Sequence, residues 1–117
     1  MTNSSTPIIN QYVALVKLDS EVALWDQVER VAKDLIIGLN LNVVKKTGYS
    51  FHPEGITLAY ILSESHLLIH TWPESGLIHI DLVTCSYRSK EEFKKSLEKA
   101  FSEYNVVSIK IKEVVFD

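Results

Sequence analysis

The side chains of this sequence that could do chemistry are concentrated in residues 62–74, LSESHLLIHTWPE. A serine hydroxyl is a candidate nucleophile, an imidazole is a candidate base, and a carboxylate can accept a proton or a hydrogen bond. Apolar and polar residues alternate through the segment as they do in a β-strand. Polar groups this dense are costly to bury in a sheet, so we expect a function to require them.

The alternation assigns these side chains to two faces, because successive residues of a strand point to opposite sides. One face carries His66, Leu68, His70 and Trp72, and the other carries Ser65, Leu67, Ile69 and Thr71. In the next apolar run, residues 77–85, one face carries His79, Asp81, Val83 and Cys85. Two neighbouring strands could therefore present several polar groups to one surface.

The residue pattern alone leaves three interpretations open, and the first is a metal site built from His66, His70 and His79. Three histidines on two strands form such a site only if the strands pair in facing register. Cys85 is the only cysteine, so the chain cannot supply a thiolate-rich metal cluster or an intrachain disulfide. We expect no metal.

The second interpretation is a hydrolase triad of Ser65, His70 and Asp81, although the chain has no G-x-S-x-G turn to expose the serine. In the third interpretation these residues have no chemical role. Ser65 is then a spacer, the two histidines of the segment are partly exposed strand residues, and Trp72 packs against its neighbours.

Strands and hairpins must position these residues. The predicted strands are residues 11–18, 41–51, 56–63, 65–72, 77–85 and 106–116. The turn-forming sequences HPEG and PESG separate the second strand from the third and the fourth from the fifth, which predicts two β-hairpins.

Two segments with apolar residues at helical spacing complete the predicted fold. In the first, Asp19 and Ser20 offer N-cap oxygens at the start and Gly38 closes the helix; the apolar residues at helical spacing are Trp25, Val28, Ala32, Leu35 and Ile36. In the second, Ser89 and Glu92 form a capping box. The order β-α-β-β-β-β-α-β predicts an α+β fold, a two-layer α/β sandwich with two helices on one face of a mostly antiparallel sheet. The other face then needs a cover, which a second subunit could supply.

Length and composition exclude several classes of protein. A chain of 117 residues with 46% apolar and 23% charged residues predicts one soluble domain, with residues 1–10 as a loosely held tail. The net charge of -3, without a basic run longer than a pair, argues against nucleic acid as a partner. Without a leader-like opening or about 18 consecutive apolar residues, we expect a cytoplasmic protein that does not cross a membrane.

Three segments together resemble the small prokaryotic S-adenosylmethionine decarboxylases, which depend on a covalently bound pyruvoyl group. They are SESHLLIHTWPESG (63–76), IDLVTC (80–85) and SFHPEGITLAYIL (50–62). They resemble the cleavage site of that family, its later cysteine strand and its preceding hairpin, and the resemblance covers about residues 11–116. Glu-Ser-His followed by IHTWPE at this spacing is not a general strand pattern.

The resemblance implies that Ser65 attacks the carbonyl of Glu64 and that the chain cuts itself into residues 1–64 and 65–117. Ser65 would become the pyruvoyl group, a ketone that can form a Schiff base with a substrate amine and needs no separate cofactor. His70 resembles the processing base, and Thr57 stands where the family usually has an assisting serine. Cys85 resembles the cysteine that returns a proton to the substrate carbon.

The resemblance also implies a substrate and its binding residues. The substrate would be S-adenosylmethionine, and its decarboxylated product would serve spermidine and other polyamine synthesis. Phe51 resembles the aromatic residue that stacks on adenine, Trp72 a second aromatic of the pocket, and Glu74 the carboxylate that binds the ribose hydroxyls. We expect a homodimer of processed protomers to cover the open sheet face.

The first strand departs from the family pattern, and this affects substrate recognition more than self-cleavage. Val13 stands in place of a usual histidine, Lys17 near a usual acidic residue, and Ser86 in place of the glycine after the cysteine. Residues 18–20 replace the usual Tyr-Gly-Cys turn. Alternatives are therefore a pyruvoyl-dependent decarboxylase of another amino acid, such as arginine or ornithine, and a non-catalytic regulatory relative.

Overall fold

The computed structural model describes residues 8–116 of the chain, and their helices and strands follow the predicted order. The elements are β1 (Asn10–Leu18), α1 (Trp25–Gly38), β2 (Val43–Ser50), β3 (Ile56–Leu62), β4 (Ser65–Trp72), β5 (Leu77–Thr84), α2 (Lys90–Ala100) and β6 (Val106–Val114). A single 3₁₀ turn, Pro73–Ser75, connects β4 to β5.

The strands form one six-stranded sheet in the order β2-β3-β4-β5-β1-β6. Every neighbouring pair is antiparallel, and both predicted hairpins are present as the pairs β2/β3 and β4/β5. The predicted α+β sandwich is therefore confirmed. The crossover through α1 carries the chain from β1 to the far edge of the sheet, so β4 and β5 lie at its centre.

Both helices pack on the same face of the sheet and form the core there. The strand residues on this face alternate with exposed or half-buried ones, as in the burial pattern of β1. Tyr12 of β1 stacks on Phe93 of α2 with ring centroids 5.3 Å apart, and Leu35 of α1 is fully buried. Full burial of one such side chain stabilises the fold by about 1.5–3 kcal/mol, so this face holds the sandwich together.

The opposite face, which we call the open face, has no second layer among residues 8–116. Apolar side chains on it are exposed, including Leu15, Ile61 and Leu68. Exposed apolar side chains spread over several strands of one sheet face mark a surface that another molecule can cover.

The predicted N-caps Asp19 and Ser20 are wrong, because α1 begins only at Trp25. The backbone N–H of Asp19 donates a hydrogen bond to the carbonyl oxygen of Asn105, with nitrogen and oxygen 2.9 Å apart, and Val22 is buried. This segment therefore crosses the end of the sheet before the helix starts. Leu24, at the N-cap position, has no side-chain acceptor. The amide oxygen of Gln27 instead accepts its backbone N–H at 3.1 Å.

Gly38 is the last residue of α1 but does not act as the predicted left-handed cap. Asn40 adopts that conformation, with φ of 53°. A Cβ at Gly38 would lie 2.8 Å from Oγ of Ser96, so the glycine permits the two helices to approach closely. In α2 the capping box of Ser89 and Glu92 is confirmed, with both bonds 3.0 Å long.

Residues 1–7, most of the predicted loose tail, lie outside the described residues, as does residue 117. Within the tail as predicted, Asn10 is not loose. It begins β1, it is buried, and its side-chain oxygen accepts the backbone N–H of Arg88 at 2.8 Å. No helix within residues 8–116 is long and apolar enough to cross a membrane.

Candidate active site

Cross-strand pairing brings several predicted site residues into one row on the open face. Thr57 of β3 pairs with His70 of β4, which pairs with His79 of β5. The hydroxyl of Thr57 and Nδ1 of His70 are in hydrogen-bond contact. Directly opposite residues in antiparallel strands have adjacent side chains, so the register of the hairpins builds this contact.

Two aromatic rings flank His70 on the same face. The ring centroid of Trp72 lies 4.2 Å from that of His70, and the centroid of Phe51 lies 5.6 Å from it. Trp72 and Phe51 are 40% and 43% exposed, so neither is an ordinary core residue. Glu74 follows in the 3₁₀ turn and is exposed. We call Phe51, Thr57, His70, Trp72 and Glu74 the His70 group.

The surroundings of His70 favour its neutral imidazole. Burial lowers the pKa of His70 below the ordinary value of 6.5, the neighbouring His79 lowers it further, and Glu74 opposes the shift. A neutral imidazole near pH 7 can accept a proton, which is what a general base requires.

A second group lies at the start of β4. The backbone N–H of Cys85 is donated to the carbonyl oxygen of Glu64 at 2.9 Å. Ser65 has φ of 144°, a conformation that residues with a side chain rarely adopt. Cys85 is exposed. We call Glu64, Ser65 and Cys85 the Ser65 group.

The carboxylate of Glu64 is held at both oxygens. Nη2 of Arg88 donates to Oε1 at 2.9 Å, and the hydroxyl of Ser86 donates to Oε2. The bond from Ser86 is the main cause that lowers the pKa of Glu64, and Arg88 adds to it. The role of Arg88 could not be predicted from the sequence, because an isolated arginine in a loop carries no pattern that reveals its partners.

The two groups do not meet within one chain. Ser65 and His70 are the first and sixth residues of the uninterrupted strand β4. A rise of about 3.3 Å per residue separates their Cα atoms by roughly 16 Å. The two groups of candidate residues are therefore separate within one protomer, and the predicted base lies far from the predicted nucleophile of its own chain.

Neither alternative site suggested by the residue pattern is assembled. Asp81 contacts His66, with Nε2 and Oδ2 3.5 Å apart, and accepts a hydrogen bond from Gln11 at 2.9 Å, so it does not complete a triad with Ser65 and His70. In the described part of the chain, no three His, Cys, Asp or Glu side chains lie close enough together to hold a metal ion.

A groove of about 620 Å³ on the described part of the chain contains neither group. It lies on the helix side of the sheet, and its walls include Lys33 of α1, Lys46 of β2 and Tyr60 of β3. An open sheet face is shallow and forms a pocket only when a second layer covers it. The contacts of the two groups therefore locate the candidate site better than cavity size does.

Comparison with known proteins identifies the family. A sequence model described as S-adenosylmethionine decarboxylase matches residues 13–113. The chain belongs to this family. The resemblance inferred from residues 63–76 is thereby confirmed, and the match includes both groups of candidate site residues.

Individual relatives in this family are similar over part or most of their length. S-adenosylmethionine decarboxylase proenzymes of Clostridium botulinum are 44% identical over 68 residues, which cover 53% of this chain and 59% of theirs. The proenzyme of Archaeoglobus fulgidus is 38% identical over 67% of this chain and 71% of its own. That of Clostridium kluyveri is 32% identical over 79% of this chain and 74% of its own.

A solved structure shows the same fold. The crystal structure of the adenosylmethionine decarboxylase from Aquifex aeolicus has a TM-score of 0.75 to this chain and is 21% identical. The similarity covers 94% of this chain and 91% of that one. The sandwich of two helices and an antiparallel sheet is therefore shared with that enzyme.

Proposed function

We propose that this chain is a self-processing, pyruvoyl-dependent decarboxylase of S-adenosylmethionine. Family membership and relatives named as proenzymes support it. The observation that carries the proposal is the geometry of the Glu64–Ser65 junction, where a strained serine follows a carbonyl that already accepts a hydrogen bond from Cys85.

Self-cleavage begins when the Ser65 hydroxyl oxygen attacks the carbonyl carbon of Glu64. A C–O bond forms, the peptide C–N bond breaks, and the hydroxyl proton passes to the nitrogen, so the amide becomes an ester. The N–H of Cys85 stabilises the negative charge that develops on the carbonyl oxygen. The unfavourable φ of Ser65 raises the energy of the uncleaved state and so favours the rearrangement.

Elimination then cuts the chain. A base removes the α-proton of Ser65, a double bond forms between Cα and Cβ, the bond between Cβ and the ester oxygen breaks, and Glu64 leaves as a new C-terminal carboxylate. Water hydrolyses the dehydroalanine left at position 65 and releases ammonia, which leaves a pyruvoyl group. That group supplies the electron sink for decarboxylation, as pyridoxal phosphate does in other enzymes. Cys85 is exposed next to this position and serves as the proton donor to the substrate carbon.

The base in this scheme is His70, and we propose that a second copy of the chain supplies it. A twofold axis across the strands near Leu68 would place the Ser65 end of one β4 opposite the partner's His70. Leu15, Ile61 and Leu68 are exposed on the open face and would become the apolar core of such an interface. A homodimer thus completes a site that one protomer carries in two halves.

Substrate binding is assigned to the outer members of the His70 group. The exposed faces of Phe51 and Trp72 suit the adenine ring and the positively charged sulfonium. The exposed carboxylate of Glu74 suits the two ribose hydroxyls, since charged acceptors form strong hydrogen bonds. The product would serve spermidine synthesis in the cytoplasm.

Parallel assays of labelled carbon dioxide release from S-adenosylmethionine, arginine and ornithine test the proposal. We expect release from S-adenosylmethionine alone by the wild-type protein, and none by the Ser65→Ala variant. Release from arginine or ornithine instead would identify a different amino-acid decarboxylase. Fully cleaved protein that releases carbon dioxide from none of the three would be a non-catalytic relative.

A further inference from the structure

Arg88 connects the candidate cleavage junction to the end of α1. Its Nε donates to the carbonyl of Leu39 at 2.6 Å, and Nη2 donates to the carbonyl of Asn40 at 3.1 Å and to Glu64 at 2.9 Å. Nη1 donates to the hydroxyl of Ser86 at 2.6 Å and to its carbonyl at 3.3 Å. A guanidinium has five N–H donors, so every one has an acceptor.

We propose that Arg88 is a positioning residue for self-cleavage, which fixes the Glu64–Ser65 peptide in its strained, reactive conformation. The inference rests on the proposed function, because it assigns a role in the cleavage reaction. The guanidinium of Arg88 donates to neither the attacking oxygen of Ser65 nor the scissile carbonyl of Glu64. It acts through the side chain of Glu64.

Strained backbone persists only where its surroundings hold it in place. Glu64 is held by its carbonyl, through Cys85, and by both carboxylate oxygens, through Arg88 and Ser86. If the carboxylate were released, Glu64 would be held by the hydrogen bond from the N–H of Cys85 to its carbonyl. Ser65 could then relax toward ordinary strand geometry. Relaxation would move its hydroxyl relative to the carbonyl carbon, and small displacements of reacting atoms cost large factors in rate.

Arg88 is itself rigidly placed. Its backbone N–H donates a hydrogen bond to the side-chain oxygen of Asn10 at 2.8 Å, and its carbonyl oxygen accepts one from the hydroxyl of Tyr12 at 2.7 Å. Both residues belong to β1 and are buried. The guanidinium therefore transmits the position of β1 and the α1 terminus to Glu64, and only 11% of the Arg88 side chain is exposed.

The contact network around Glu64 requires a hydroxyl at position 86, which Ser86 supplies. Ser86 accepts a hydrogen bond from Arg88 and donates one to Glu64, so it bridges the two charged groups. A glycine there could not do so. Lysine at position 88 would also be a poor substitute, because an ammonium lacks the planar fork that reaches several acceptors at once.

The rate of self-cleavage after cell-free synthesis, followed on denaturing gels, tests the role of Arg88. We expect Arg88→Gln to slow cleavage by roughly ten- to a hundredfold, and Arg88→Lys to restore little of the rate. Val31→Ala is the control, since it removes buried packing on α1 away from the junction. It should lower the thermal midpoint without a comparable loss of cleavage rate.

A double-mutant cycle with Glu64→Gln separates positioning from general stability. If Arg88 acts through the Glu64 carboxylate, Arg88→Gln should slow the wild-type chain but have little further effect in the Glu64→Gln background. Equal slowing in both backgrounds, or cleavage of folded Arg88→Gln at the wild-type rate, would overturn the inference. If the Arg88 variants do not fold, the Ser86→Ala variant tests the inference in their place. Cleavage several-fold slower than wild type supports the positioning role of Arg88, and an unchanged rate overturns it. An uncut wild-type chain would instead refute the proposed function itself.

Discussion

The backbone N–H of Cys85 donates a hydrogen bond to the carbonyl oxygen of Glu64, with the nitrogen and oxygen 2.9 Å apart. This bond places the proposed proton donor for decarboxylation beside the peptide bond proposed to be cut. The proposed cleavage site and the proposed proton donor therefore lie at one end of β4, whereas His70 lies near the other end of the strand. This separation of Ser65 from His70 along β4 implies that the base is supplied by the partner chain.

We expect His70→Ala protein to remain uncut as a homodimer and to be cut when co-expressed with Ser65→Ala protein. In the mixed dimer, the Ser65→Ala chain provides an intact His70 to the intact Ser65 of its partner. Different affinity tags on the two chains allow the mixed dimer to be purified and the cut chain to be identified on a denaturing gel.

The matched control is a partner that carries both Ser65→Ala and His70→Ala, which should rescue nothing. A purified mixed dimer in which the His70→Ala chain stays whole would place the base within each chain or assign it to another residue. Monomeric mass at micromolar concentration would count against the dimer directly.

Cleavage should not release the two fragments from each other. Residues 1–64 contain β1, β2 and β3, and residues 65–117 contain β4, β5 and β6. In the sheet, β1 lies between β5 and β6, and β3 pairs with β4, so the two fragments are interleaved. Cleaved protein should elute as one species under native conditions and separate only in denaturant. Separation under native conditions would show that these strand pairings do not hold.

The pH dependence of cleavage should reflect the lowered pKa of His70. Because the folded protein favours the neutral imidazole, the base form persists below the ordinary value of 6.5, and the acid limb of the rate profile should lie below that pH. His79→Gln should move this limb to higher pH by removing a repelling charge, and Glu74→Gln should move it lower. Cleavage rates from stopped time courses between pH 4 and 8 measure both shifts; an acid limb unmoved by either variant would contradict the assignment of His70.

Glu74 and Cys85 should affect different steps of decarboxylation. Glu74→Gln should weaken productive binding of S-adenosylmethionine by roughly 1.5–3 kcal/mol, the range for a hydrogen bond to a charged group, and leave cleavage at Ser65 unaffected at neutral pH, above the acid limb. Cys85→Ala should spare binding and depress turnover, because protonation of the decarboxylated substrate would depend on water. Unchanged affinity and turnover in Glu74→Gln would show that the nucleoside does not bind there.

Sequence alone predicted the strands and the two faces of β4 because both follow from local alternation. His66, Leu68, His70 and Trp72 lie on the open face as expected. The distance between Ser65 and His70 was also available, since five steps along a strand amount to about 16 Å. The division of the site into two groups follows from that spacing.

Tertiary contacts account for what sequence could not predict. Asp19, a predicted N-cap, instead bonds to Asn105, which is distant along the chain. Likewise, Arg88 reaches Glu64 and the end of α1 only because β5 returns the chain to the start of β4. No local pattern marks either interaction.

Intact-mass analysis of purified protein under denaturing conditions tests the central claim, self-cleavage at Ser65, most directly. We predict two masses, for residues 1–64 and 65–117, with the second lighter by one ammonia than the same fragment beginning with serine and reactive toward carbonyl reagents. The Ser65→Ala variant should give one mass for the whole chain. A wild-type protein that shows only the uncut mass after prolonged incubation, with no reactive carbonyl, would contradict the account.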